Sequence, residues 1–307
     1  TMNYASVRFW QQQGITRIIL SRELSLDQIE EIQDECPEME LEVFVHGALC
    51  IAYSGRCLLS GYFNHRDANQ GTCTNSCRWD YQVKAASVDS SGDIRATGAP
   101  AEQVYLLEES SRPGTQMPIE EDEHGTYIMN SRDLRALEHV ERLINIGVKS
   151  LKIEGRTKSH YYVARTAQVY RQAIDDAEAG RPFNAQLLGS LENLANRGYT
   201  DGFLQRHPDQ DYQNYLLNHS NSLQQQFVGG LTGYNRESGM VHVDVKNKFS
   251  VGDELELILP GGNRTFRLET MLDMDGKPMN EAPGGGYRVQ IPHDRQDFEM
   301  GLLARYL

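Results

Sequence analysis

The chain has 307 residues, 39% of them hydrophobic and 24% charged, with a formal net charge of -13. No run approaches the roughly 18 apolar residues of a membrane span, and the start, Thr1 to Arg8, lacks the apolar core of a secretion signal, so a cytoplasmic protein is expected. The acidic balance weighs against broad, sequence-blind nucleic-acid binding, which depends on neutralising phosphates, and the length favours two domains over one.

In chain order, Arg17 to Ser21 reads as a strand. Ser25 and Gln28 then have the spacing of a capping box, in which a hydroxyl and an amide side chain satisfy free backbone groups at a helix start. That helix ends near Pro37, and Leu41 to His46 is the next strand. Cys50, Cys57, Cys73 and Cys77 follow within 28 residues, separated by gaps of six, fifteen and three; the remaining cysteine is Cys36, a structural thiol at a helix end. Beyond this cysteine-rich loop (50–81), Leu134, Leu137, Val140 and Ile144 recur at helical period, predicting a helix from about Ser131 to Gly147. Lys149 to Glu154 reads as a strand. A helix through Val163, Ala167, Tyr170 and Ile174 stops at Gly180, and another spans about Ala185 to Asn196. Short strands alternating with amphipathic helices predict βα units and a parallel sheet over residues 1–225. From Phe227 the pattern changes: Val241, Val243 and Val245, then Leu255, Leu257 and Leu259, alternate with polar residues between glycine pairs. This predicts a small antiparallel β-barrel over residues 226–307.

Charge is uneven along the chain. Residues 132–171 hold nine Lys/Arg against four Asp/Glu, whereas residues 101–125 hold seven acids and one Arg. The basic stretch fits either a solvated helix face or a face that holds a phosphate backbone.

Strand phase assigns the candidate site. In a β/α barrel alternate strand residues face the helices and the others fill the interior, with chemistry at the C-terminal strand ends. Leu151 and Ile153 take the helix side, which sends Lys152 and Glu154 inward; Val43 and Val45 do the same in the earlier strand and leave Phe44 and His46 inside. Buried charge is costly unless paired or functional, so Lys152 and Glu154 are candidates for catalysis or for an internal ion pair. His46 is a candidate for catalysis or a satisfied core histidine. Arg156 would project into the barrel mouth, where a guanidinium suits a carboxylate or phosphate. The four cysteines follow the His46 strand. Their gaps fit two close zinc-binding pairs poorly, are tolerated by an iron-sulfur cluster, and lack the C-x-x-C of a redox dithiol; cluster, zinc and inert or redox thiols all remain open on spacing.

The stretch from Glu42 to Ser60 resembles the signature of the collagenase-like peptidase family, U32, at Glu42, Phe44, Gly47, Cys50, Gly55, Cys57 and Ser60. Asn69 to Tyr81 and Leu151 to Arg156 are also similar to that family, and the final barrel resembles its C-terminal domain, akin to the second domain of elongation factor Tu. Within the family the chain looks most like tRNA-hydroxylating members. That resemblance implies prephenate-dependent formation of 5-hydroxyuridine at the tRNA wobble position, with Cys50, Cys57, Cys73 and Cys77 as ligands of a 4Fe-4S cluster. Relatives that hydroxylate ubiquinone precursors without oxygen share the cysteine idea. No H-E-x-x-H or G-x-S-x-G supports the peptidase name; metal- or cysteine-dependent proteolysis, and an RNA-binding module with structural zinc, are the alternatives. An eightfold barrel needs about 200 residues or more, and the region before residue 225 holds too few strand-helix units. The resemblance therefore implies a partial (truncated) TIM-like β/α barrel with an artificial or proteolytic start at Thr1, whose exposed sheet edge favours association.

Overall fold

The computed structural model describes residues 1–49, 54, 84–88, 94–100, 105–108, 116–122, 125–127, 132–155, 158–194, 196, 198–205, 225–293 and 298–307. It is a mixed α/β structure of two units, Thr1–Glu154 with Asn196–Ser220 and Gly155–Ala195 with Asn221–Leu307.

In the first unit, helix α1 (Tyr4–Gln12) starts on Asn3, whose side chain accepts from the Ser6 amide. Strand β1 (Arg17–Ile19) leads to α2 (Leu26–Glu35). The capping box forms here: Ser25 Oγ accepts from the Gln28 amide, and the Gln28 side chain accepts from the Ser25 amide. Ile29 and Ile32 are buried, and Cys36 closes the helix as a buried free thiol. In β2 (Glu40–Ala48), Leu41, Val43 and Val45 are buried at every second position, as a strand covered on one face requires.

The backbones of β3 (Lys84–Val88) and β4 (Ile94–Pro100) form an antiparallel pair, and those of β5 (Tyr105–Glu108), β6 (Gln116–Asp122) and β7 (Gly125–Tyr127) an antiparallel triplet. Next come β8 (Asp133–Arg135), a 3-10 turn (Leu137–His139), α3 (Val140–Ile146), β9 (Ser150–Ile153) and β10 (Tyr199–Thr200). Strand β2 pairs parallel with β1 and β9 and, at its C-terminal end, antiparallel with β8, which pairs parallel with β10.

Strand β8 corrects the expected helix start. The apolar period extends back to Leu134, yet the backbone of residues 133–135 finds sheet partners in both β2 and β10. Tertiary hydrogen bonding here overrides a local pattern, and the helix begins only at Val140.

In the second unit, α4 (His160–Glu178) starts on Ser159, whose hydroxyl accepts from the Tyr162 amide, and is followed by α5 (Gln186–Glu192). Strands β11 (Gln225–Asn235), β12 (Met240–Val245), β14 (Glu254–Ile258), β15 (Arg264–Arg267), β16 (Leu272–Asp273), β18 (Arg288–Pro292) and β19 (Leu302–Tyr306) form one curled antiparallel sheet. Its order is β15-β14-β19-β11-β12-β18-β16, and β13 (Phe249–Ser250) pairs with β17 (Glu281–Ala282) apart from it. In β12 the alternation read from the sequence is the burial pattern, whereas β14 is buried continuously from Leu255 to Ile258, a departure from the expected alternation. Val241, Val243, Val245, Leu255, Leu257 and Leu259 pack with Phe249, Val289, Ile291 and Leu303 into one core.

Helix α4 is anchored to this sheet by a buried network. Arg165 donates from both Nη atoms to the two carboxylate oxygens of Glu256, each at 2.9 Å. Gln225 and Asn263 also donate to Glu256, so the charge removed from water is both paired and hydrogen-bonded. Among the described residues no helix is long and apolar enough to cross a membrane.

Candidate active site

Strands β2 and β9 run side by side with Glu42 opposite Ser150, Val43 opposite Leu151 and Phe44 opposite Lys152. Because side chains alternate along a strand, Glu42, Phe44, Ser150 and Lys152 share one face, opposite to that of Leu41, Val43 and Val45. On that face Glu42 accepts from Lys152 Nζ at 2.6 Å and Ser150 Oγ at 3.0 Å. The Lys152 hydrogen bond holds the Glu42 carboxyl below its ordinary range against the opposing effect of burial, and Ser150 adds to it.

Phe44 lies between two cations. The Lys152 ammonium is 5.6 Å from its ring centre and the Arg22 guanidinium 3.7 Å. Arg22 in turn pairs with Glu154. Lys152 and Glu154 thus both belong to the cluster, but each has a partner outside β9: Glu42 for Lys152 and Arg22 for Glu154. Lys152 keeps 39% of its side chain exposed, whereas Glu42 keeps 13%, so the carboxylate is the anchor and the ammonium is the group an incoming ligand can reach. Sequence reasoning missed Arg22. The available signal was its position just past β1, at the C-terminal end of a strand, where barrel chemistry gathers.

His46 follows a different course. The β2/β9 register shifts between Phe44 and His46, so Val45 is an extra residue and His46 stands opposite Ile153. Its ring is buried, with its centre 5.5 Å from that of Tyr199, while the Arg135 guanidinium lies 4.7 Å over the same tyrosine. The bulge therefore moves His46 out of the Phe44–Lys152 row that simple alternation predicts.

Gly47 completes the bulge. The Glu154 amide donates to the His46 carbonyl at 2.8 Å, and Gly47 has φ 118, a conformation that favours glycine. A Cβ at this position would lie 2.3 Å from the Glu154 carbonyl oxygen. Only a residue without a side chain lets β2 run this close to the end of β9.

Cys50, Cys57, Cys73, Cys77 and Arg156 lie outside the described residues. One described residue falls between the first two cysteines: the Ser54 amide donates to Glu23 Oε1. Burial pushes the Glu23 carboxyl up, but the bond from the Ser54 amide is the chief influence that holds it below the usual range. The short run Ser21-Arg22-Glu23 thus reaches Glu154 and the Ser54 amide at once. Elsewhere in the unit, His139 Nε2 lies 3.2 Å from Asp201 Oδ2. Among the described residues no group of three His, Cys, Asp or Glu is arranged to hold a metal ion.

The sequence model of Peptidase family U32 matches residues 1–214, and that of the Peptidase family U32 C-terminal domain matches residues 223–305. The chain belongs to peptidase family U32. Among the relatives it matches, the tRNA hydroxylation protein P of Escherichia coli (strain K12) is 59% identical over 99% of this chain and 70% of its own length. The protein of the same name from Haemophilus influenzae is 54% identical over 100% of this chain and 71% of its own. A protein named Collagenase from Porphyromonas gingivalis is 26% identical over 90% of this chain and 62% of its own. The chain thus spans about 70% of the first two relatives. Of the β2 and β9 residues described above, Glu42, Phe44, Gly47 and Lys152 are among those that carried the resemblance to U32 in the sequence.

Proposed function

We propose that this chain is that of a tRNA hydroxylase that converts the wobble uridine to 5-hydroxyuridine. The observation that carries this reading is the 59% identity, across nearly the whole chain, to a protein named for tRNA hydroxylation, against 26% to one named Collagenase. Within the reading, the strands of the first unit are part of a TIM-like β/α barrel, and the C-terminal sheet is a small β-barrel of the kind found in the second domain of elongation factor Tu. The compartment is the cytoplasm, where tRNA is found and thiols stay reduced.

Prephenate is the proposed co-substrate, and the site offers what a carboxylate-bearing molecule requires. Lys152 presents a part-exposed side chain whose ammonium is held by Glu42, and Glu42 in turn accepts from Ser150. Arg156, two residues past Glu154, adds a guanidinium for bidentate recognition. Arg22, paired with Glu154, lies over Phe44, while His46, turned by the bulge toward Tyr199, stands apart from this row.

Cys50, Cys57, Cys73 and Cys77 would hold a 4Fe-4S cluster. Four thiolates are the donor set such a cluster takes, and a cluster supplies one-electron transfer when bound. The chain's own contribution is to present the loop: β2 ends against Glu154 through Gly47, and Glu23 holds the backbone of Ser54. The basic helices and the terminal sheet hold the RNA.

The test is complementation of a strain lacking this gene and any redundant hydroxylase, with nucleosides of bulk tRNA quantified by mass spectrometry. The full-length protein should restore wobble hydroxyuridine, whereas Lys152→Ala and Cys50→Ala should not. Full restoration by both variants would remove these residues from the mechanism. Peptide hydrolysis lost in the same variants would return the proteolytic alternative. Stoichiometric zinc without iron after anaerobic purification would replace the cluster with a structural metal.

A further inference from the structure

The second unit contains a cleft of about 660 Å³ that plays no part in the site above. Its walls come from Tyr234 on β11, Arg264, Phe266 and Arg267 on β15, and Glu269 and His293 just past β15 and β18. Three rings line it. Tyr234 stacks on Phe298 at 6.4 Å and meets His293 edge-on at 6.2 Å, and Phe266 packs against the same core. Packing of this kind holds the rings in place before any ligand arrives.

The two arginines are exposed on β15, an edge strand of the sheet. Arg267 Nε donates to the Gly252 carbonyl at 3.1 Å, which orients its guanidinium. Fixed aromatic faces beside guanidinium groups suit one class of ligand, an unpaired nucleotide. Every base offers a π face for stacking, and each phosphate needs a cation. The volume falls within the range of small-ligand sites. Glu269 suits an amino or ring N–H group of a base and repels a phosphate, which leaves the phosphates to Arg264 and Arg267.

We infer that this cleft binds a single-stranded segment of RNA, with a base stacked among Tyr234, Phe266 and His293 and phosphates on Arg264 and Arg267. The inference rests on the reading of the protein as one that acts on tRNA, and it places a contact in the C-terminal unit.

The experiment is fluorescence anisotropy with a labelled twelve-nucleotide single-stranded RNA and an unmodified tRNA transcript, across a range of salt concentrations. The double variant Arg264→Gln with Arg267→Gln should weaken binding at least about tenfold at physiological salt. It should also flatten the slope of log affinity against log salt by about 1.4, the share of two phosphates on a single strand. Tyr234→Leu with Phe266→Leu should weaken binding about tenfold and leave that slope unchanged, because stacking releases no counterions. Circular dichroism of each variant establishes that it is folded. If the parent binds RNA and both variants bind it equally well with the same slope, the cleft is not the site, while tRNA hydroxylation stands on the complementation result. If the parent binds neither RNA, the cleft proposal falls, and restored hydroxyuridine in the complementation assay would still uphold the enzyme.

Discussion

Gly47 is the residue at which the end of β2 meets the end of β9, and any side chain there collides with backbone. Gly47→Ala would combine an unfavourable φ with a 2.3 Å contact to the Glu154 carbonyl, an atom that cannot rotate away. The expected cost is about 2–5 kcal/mol, read as a lower urea midpoint together with lost hydroxylation; a midpoint equal to the parent's would show that the backbone relaxes freely. Glu42 is the second residue to test. Its carboxyl is held down chiefly by Lys152, so its stabilising effect is present above the ordinary value of 4.5 and is lost as pH falls through the lower folded value. Lys152→Met should therefore move the onset of acid unfolding, followed by circular dichroism, to higher pH. Glu23 is the third. Glu23→Gln keeps the size and weakens the charge-assisted bond to Ser54, and iron per chain should fall after anaerobic purification. Unchanged iron would mean that the cysteine segment holds itself.

At the scale of elements, helix α4 and the C-terminal sheet are joined by Arg165 and Glu256. Both side chains are almost completely buried, so either charge left alone is costly. Arg165→Met should lower the stability of the second unit by about 3–5 kcal/mol in urea unfolding. Adding Glu256→Met should recover much of that loss. Recovery should be incomplete, because Gln225 and Asn263 lose their acceptor. A double variant as unstable as the single one would show that the network, and not the uncompensated charge, carries the effect. The same helix shows how far local pattern reaches. Its stop near Gly180 is plain in the sequence, but the apolar row through Val163 and Ala167 misplaces its buried face: both are exposed, while Tyr161, Arg165, Val169, Tyr170 and Ala173 are buried, and its partner Glu256 lies 91 residues away and leaves no local mark. For β8 the local pattern misleads, since Leu134 fits the helical repeat while its backbone belongs to a sheet.

For the molecule as a whole, one buried tyrosine contributes to the response to alkali. Burial pushes Tyr161 up to about 12, where its ring stacks on Phe227 and its hydroxyl donates to Gln225. The unfolded chain releases this proton from about pH 10 and the folded chain only near 12, so stability should fall across that interval by about 2–3 kcal/mol. Tyr161→Phe should remove that slope from a series of urea unfolding curves between pH 9 and pH 12. An unchanged slope would assign the alkaline loss to other groups.

Residue types and their periods by themselves determined the capping box at Ser25, the alternating burial of β12 and the common face of Phe44 and Lys152. Each of these is a consequence of backbone geometry acting over a few residues, which a linear pattern records. Tertiary structure alone decided which charges meet, because Glu42 and Lys152 are 110 residues apart and Arg22 and Glu154 are 132 apart. It also decided the bulge at Val45 that takes His46 away from Lys152 to Tyr199, since register depends on what the neighbouring strand offers.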